Sequence, residues 1–241
     1  MKPVRAPVSR PAIVDVAIEL MAEGGLEAVS FRRIAAELGV SAPTLYWHVD
    51  SKRHLMDLMA EELLERTGAT PGLPAADEPW WEWLRAHASR MFTALIATRD
   101  APLVLAGNRP STDRYAHLEQ VLGILVGAGM QPLEAQQSLF AISSYVIGSA
   151  TEWQAEAERA RAVASACSPA GTESGTPPAR ALGDHPLLLA AVTGLRAEEH
   201  RSTFDHGLSL IIDGLRARYA PPPLSAPAGP ADAAARPPGP R

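Results

Sequence analysis

Thr44, Tyr46, Trp47 and His48 place a hydroxyl, a phenol, an indole and an imidazole within one short stretch of the chain. A merely solvated helix surface does not select such hydrogen-bonding aromatics; they suit the edges of bases in a groove. Arg32 and Arg33 precede them and Lys52 follows, in the run SFRRIAAELGVSAPTLYWHVDSK from Ser30 to Lys52. A lysine at a helix N-terminus is a natural phosphate clamp, because the free N–H groups and the helix dipole add to its charge. Phosphate contacts of this kind would set the register, and the short segment between them would read base edges.

The other reactive residues form no catalytic pattern. There is no glycine-rich phosphate loop, no His-Glu-x-x-His pair and no Gly-x-Ser-x-Gly elbow. His48, His54, His87, His117, His185, His200 and His206 show no metal-ligand spacing, and His200 and His206 stand off a common helical face. The single cysteine, Cys167, excludes an internal disulfide and a Cys-rich zinc site. A thiol sensor at Cys167 stays an alternative, with Arg159 and Arg161 on the preceding helix as its basic neighbours in sequence.

The elements that must carry these side chains are legible. Ser30 is a good N-cap for an amphipathic helix over Phe31–Leu38, and Gly39 supplies the freedom a tight turn needs, with Val40 beside it. Ser41 caps a second short helix, Pro43 sits in its first turn, and Leu45 is its apolar anchor. Two short helices about a glycine turn are helix–turn–helix grammar. An ordinary helical hairpin shares the spacing; the exposed aromatics and flanking cations distinguish the two.

Helical periodicity runs through the rest of the chain. Ile13, Ala17 and Leu20 recur on one face, as do Leu55, Leu58, Met59 and Leu63, then Leu139, Ile142 and Val146. No sustained alternation argues for strands, so the fold class is all-α. The shift near TGATPGLPAADEP (67–79) predicts a helix–turn–helix domain over 1–66, with its reading helix about 42–48, and a larger helical domain over 67–219. A small, polar, Pro/Gly-rich stretch at 165–183 reads as a mobile loop, and the proline-rich tail at 220–241 as disordered.

Composition narrows the partners. The 241 residues carry 22 Lys+Arg and 27 Asp+Glu, net −5, so no global basic field announces nucleic acid. Residues 1–54 nevertheless hold seven basic and six acidic side chains, while the remainder holds fifteen and twenty-one, an asymmetry that points to the front end alone for an anionic partner. No stretch reaches the ~18–20 apolar residues of a membrane helix. Asp15, Glu19 and Glu23 interrupt the apolar start as no signal-peptide core tolerates. No membrane partner and a cytoplasmic location are expected.

The string PTLYWHV at 43–49, followed by Lys52, resembles the tetracycline-repressor (TetR) family of bacterial transcriptional regulators. The resemblance continues through WEWLR at 81–85, RDAPLVLAGNRP at 99–110, FAISSYVIGSATEWQ at 140–154 and FDHGLSLIIDGL at 204–215, covering most of 10–218. It implies a homodimeric repressor, each subunit presenting a three-helix DNA-binding head on a helical body that binds a small organic effector. Carried over by position, Arg32, Pro43, Thr44, Tyr46, Trp47, His48 and Lys52 would touch a double-stranded DNA operator. Ala42 stands where the tetracycline repressors have a base-reading polar side chain, which implies a different operator sequence.

The resemblance also implies a four-helix dimer seam from about 132–163 and 185–219. In the second segment Phe204, Leu208, Ile211, Leu215 and Tyr219 form an apolar stripe, with Gly207 and Gly214 allowing close approach. The same stripe would also suit packing against the subunit's own core. Half-sites ~34–36 Å apart require two-fold symmetry.

In the pocket, Arg109 and Glu152 match ligand-side positions of the family. Leu105 and Ser144 replace the two histidines that hold a drug-bound magnesium there, and Gly68, His87, Met91 and Val121 replace groups that grip the drug. A hard cation needs oxygen or imidazole ligands. The expectation is therefore no metal, no cofactor and a less polar organic effector, with Arg109, Glu152, His87, Met91, Tyr145 and Trp153 as candidate contacts. Tyr145 and Trp153 equally suit core or seam, His87 equally suits a satisfied interior histidine, and Arg109 and Glu152 equally suit surface ion pairs. The Trp80, Trp81, Trp83 cluster reads as a packing staple at the start of a helix. An effector-independent DNA binder is the remaining alternative.

Overall fold

The computed structural model describes residues 8–166, 184–193 and 200–219; Cys167, most of the 165–183 stretch and the tail after 219 lie outside them. Every regular element among the described residues is helical. The front region comprises α1 (Arg10–Gly24), α2 (Phe31–Leu38), α3 (Ala42–Leu45) and α4 (Lys52–Arg66). Serine caps begin three of these. Ser9 accepts from the Ala12 N–H, Ser30 from the Arg33 N–H at 3.3 Å, and Ser51 from the His54 N–H at 3.1 Å. Gly39 ends α2 in the left-handed region at φ 63°, which lets the Val40 N–H return to the Ala35 carbonyl at 2.9 Å.

The turn after α2 departs from the expected pattern in two details. Ser41 caps no backbone N–H; its hydroxyl is 2.8 Å from that of Thr44. Regular α3 ends at Leu45, and Tyr46, Trp47 and His48 continue as a turn closed by the His48 and Val49 N–H groups on the Leu45 carbonyl. The chain bends there because Leu45 and Val49 are both drawn into the interior with Ile13, Ala17, Met21, Ile34, Leu55 and Met59.

The larger region comprises α5 (Trp80–Ala97), α6 (Ala101–Leu105), α7 (Tyr115–Gly127), α8 (Pro132–Ala166), α9 (Pro186–Thr193) and α10 (His200–Tyr219). Helix α8 is its spine: α5, α6, α7 and α10 all pack on it. Phe92 of α5 stacks on Phe204 of α10 with centroids 3.9 Å apart and meets Trp153 of α8 edge-on at 6.3 Å. At the start of α5, Trp83 is buried with its indole N–H on the Gly72 carbonyl at 2.7 Å, and Arg216 lies over Trp81, so the tryptophan cluster does staple the helix.

The apolar stripe of α10 divides between two tasks. Phe204 and Leu208 are buried within the subunit, together with Ile212. Ile211, Leu215 and Tyr219 instead line a groove of about 300 Å³ with Glu134, Gln137, Ser138 and Ala141 of α8. Gly207 serves the subunit rather than a seam: a side chain there would collide with the ring of Tyr145, whose hydroxyl donates to the Phe204 carbonyl at 3.0 Å. Gly214 faces open space. Leu133, Phe140 and Leu210 are left on the outside of α8 and α10.

Candidate functional site

The seven front residues occupy three adjacent segments: Arg32 in the first turn of α2, Pro43 to His48 in and after α3, and Lys52 at the first position of α4. Trp47 is 88% exposed and Tyr46 52%. Leaving a tryptophan in water forfeits a large transfer free energy, so its position needs another reason than folding. Tyr46 is held by stacking on Phe31 of α2, centroids 4.7 Å apart. Arg32, Pro43 and Lys52 are exposed; Thr44 and His48 are half-buried. The His48 carbonyl accepts from Arg10 Nε at 3.4 Å, tying the turn to the start of α1. That anchor had no local signal, because its partners lie far apart in sequence.

Two polar junctions join this head to the body. Asp57, Glu61 and Glu65 stand at every fourth position of α4 and so share one face. Asp57 accepts from Arg53 at 2.5 Å and from the Arg109 backbone N–H at 3.3 Å. Glu61 accepts from both the N–H and the hydroxyl of Ser111, at 2.7 and 3.1 Å. Glu65 accepts from Arg114 at 3.1 Å, and that hydrogen bond, with a second from Thr70, holds its carboxyl below the usual range. Arg53 also donates to the Ala106 carbonyl at 3.2 Å. The segment from Ala106 to Arg114 is thus strapped along α4, and the backbone of Arg109 is part of the strap.

The second junction starts at Gln154 of α8. Its amide donates to the carbonyls of Leu95 and Thr98, both at 2.8 Å, and its oxygen accepts from the Asp100 N–H at 3.1 Å. Asp100, at φ 59°, turns its carboxylate to the Leu26 N–H in the head at 2.7 Å. A side chain at Gly25 would strike that carboxylate, so glycine keeps the approach open. Neither junction was visible in the sequence; each pairs residues some 50 to 75 positions apart.

The six body candidates are scattered. Tyr145 and Trp153 pack within the α5–α8–α10 core. The Arg109 and Glu152 side chains are exposed, and no ion pair joins them among the described residues. Met91 is buried on α5, one turn beyond His87. The His87 ring lies against Trp83, and its Nδ1 is closed to solvent with no hydrogen-bond partner among the described residues. Burial pushes this imidazole down to about 4, helped by the charge of Arg90 and by His117, against a backbone hydrogen bond to Ala69. Nε2 of His117 and Oδ1 of Asn108 are likewise enclosed and unpartnered. Each buried polar atom left so costs ~1–3 kcal/mol.

Magnesium does not fit the remaining positions. Leu105 is buried in the core and offers no ligand atom, and Ser144 faces outward.

Short capped helices presenting an aromatic turn, set on an all-helical body, define a helix–turn–helix regulator. Residues 13–59 match the family model for bacterial regulatory proteins of the tetR family, and residues 73–219 match that for the tetracyclin repressor-like C-terminal domain. The chain belongs to the TetR family of transcriptional regulators. It is 32% identical over 209 residues to the class D tetracycline repressor protein of Escherichia coli, covering 87% of this chain and 89% of that protein. It is 30% identical over 215 residues to the HTH-type transcriptional repressor DrrR1 of Streptomyces coeruleorubidus, covering 86% and 77%. The solved class A TetR in complex with 5a,6-anhydrotetracycline and magnesium superposes with a TM-score of 0.62 at 26% identity, covering 87% and 99%. Its family is one of regulators rather than enzymes, and no described helix is long and apolar enough to cross a membrane.

Proposed function

We propose that a homodimer of this chain occupies a palindromic operator as a repressor and is released by a small organic effector other than magnesium–tetracycline. Two domains divide the work: residues 1–66 bind DNA, and residues 67–219 hold the effector and the dimer seam. The single observation that carries the reading is the exposed aromatic turn. Trp47 stands in solvent while every neighbouring large apolar residue of the head is at least half-buried or stacked, and cations flank it at Arg32 and Lys52. In this arrangement Tyr46, Trp47, Thr44 and His48 meet base edges, while Arg32, Lys52 and the N–H groups at the start of α4 meet phosphates, with Pro43 against the groove wall.

The seam is supported by Leu133, Phe140 and Leu210, which leave an apolar surface on the outer sides of α8 and α10 beside the groove under Ile211, Leu215 and Tyr219. For the effector, His87 and Met91 are the candidates that the geometry favours. Arg109 belongs to the strap along α4, Glu152 faces solvent, and Tyr145 and Trp153 serve packing. An effector seated beside α5 and α7 acts on the head through the strap: moving residues 106–114 pulls on Asp57, Glu61 and Glu65, and α4 carries Lys52 and the reading turn with it. Such a ligand shifts the balance only by its differential affinity, and ~2–3 kcal/mol of coupling is enough.

The test is a gel shift of the purified protein on the DNA upstream of its own gene, with mass determination in solution and addition of candidate compounds. A dimer that binds and is released supports the reading. A strictly monomeric protein, or a dimer that binds no upstream DNA, overturns it.

A further inference from the structure

The turn that follows α3 has no regular helical ladder to aim its side chains. The Tyr46 N–H reaches three residues back to the Pro43 carbonyl at 3.3 Å, and the His48 and Val49 N–H groups both close on Leu45. Which rotamer Tyr46 adopts is then decided by what its ring touches. One ring is there to touch. Phe31 and Tyr46 lie nearly parallel, their planes 16° apart and their centroids 4.7 Å apart. At the far end of the turn Arg10 Nε lies 3.4 Å from the His48 carbonyl, so the segment is held at both ends.

Hiding apolar area does not account for the pair. Tyr46 stays 52% exposed, and Phe31, at the first position of α2, is only half-buried, whereas Ile34 and Ala35 of the same helix are fully inside. Rings gathered by the hydrophobic effect alone go into the core; these two meet at its edge, where Phe31 leans on it. The stack holds the phenol by one face while the side chain remains half in water. Among the described residues its hydroxyl has no hydrogen-bond partner. Arg32, the residue after Phe31, is exposed beside it in the first turn of α2.

We infer that Phe31 is a positioning residue for DNA binding: it fixes the Tyr46 ring, before DNA arrives, in the orientation in which the phenol meets the duplex. This rests on the reading of residues 1–66 as the DNA-binding domain and adds to it a residue that acts only through another. A ring already immobilised gives up less freedom on binding, and for one side chain that saving corresponds to about three- to tenfold in affinity.

A double-mutant cycle tests the assignment, with the full-length protein titrated onto a fluorescent DNA fragment from upstream of its own gene at one fixed salt concentration. Phe31→Leu keeps apolar bulk beneath the turn but no ring, and weakens binding about three- to tenfold. Phe31→Tyr keeps the ring and binds like the wild type. In a Tyr46→Ala background, Phe31→Leu changes affinity by less than about twofold, because the ring it would position is gone. In the free protein the Tyr46 ring protons, shielded by the stacked ring, move downfield in the nuclear magnetic resonance spectrum of Phe31→Leu. Equal losses in both backgrounds mark a structural role alone and overturn the assignment. So do a Phe31→Leu that binds like the wild type, a Phe31→Tyr as weak as Phe31→Leu, or Tyr46 signals that stay in place. A wild type that binds no upstream DNA overturns the DNA-binding reading itself, and this assignment with it.

Discussion

In the head, the eight-residue helix α2 is closed by a serine cap and a glycine turn, the four-residue α3 follows that turn directly, and Arg32, Tyr46, Trp47 and Lys52 are exposed. In the body, α8 runs for 35 residues, and of the side chains once assigned to function Met91, Tyr145 and Trp153 lie in or against the core and Arg109 and Glu152 on the surface. The head is organised locally: Ser30, Gly39, Pro43 and Leu45 act within a few positions of themselves. The body is organised at a distance, by Phe92 on Phe204, Tyr145 against Gly207, and the strap on α4. The lesson is that an aromatic residue means different things in the two regions. Trp47 is informative because it is exposed, and Trp153 is uninformative about ligands because it completes a packed layer.

That contrast has measurable consequences. The largest is Phe92→Ala in the body, which removes one ring of a stacked pair and should cost ~3–5 kcal/mol in urea denaturation. Trp47→Ala in the head should leave the denaturation midpoint unchanged while weakening binding to upstream DNA about tenfold to a hundredfold in a gel shift. A fall in stability comparable to that of Phe92→Ala would remove the distinction between the regions.

The junctions between the regions give smaller effects. Asp100→Gly retains the positive φ without strain and deletes the acceptor for the Leu26 N–H, so a loss of about 1.5 kcal/mol isolates that hydrogen bond. His87 links stability to pH. Its folded value of about 4 lies below the 6.5 of a free ring, so the unfolded chain binds more protons between the two. Stability is complete above pH 6.5 and falls as pH is lowered through that window, by about 1.4 kcal/mol at pH 5.5; His87→Phe should flatten the slope in denaturation series at several pH values. At the other extreme, Arg159→Ala breaks only an exposed pair with Glu156 and should change stability by less than ~0.5 kcal/mol in the same assay.

Much of the head was readable in advance. The helix over Phe31–Leu38, its serine cap and the left-handed Gly39 follow from preferences of single residues, and these do not depend on what the rest of the chain does. The Ser41 cap failed for the same local reason that suggested it: Thr44, three positions on, offers the hydroxyl a rival partner. The stripe on α10 was correct as a periodicity and incomplete as an assignment, since spacing shows which residues share a face and not which neighbour that face meets.

Helical order, the exposed aromatic turn and the family were thus set by the chain's own pattern, because caps, turns and amphipathic periods are short-range properties. The fold alone determined that Gly207 yields to Tyr145, that Asp57, Glu61 and Glu65 grip the segment carrying Arg109, and that Nδ1 of His87 is enclosed with no hydrogen-bond partner among the described residues. Those are contacts between segments distant along the chain, and their energies exist only once the helices have been brought together.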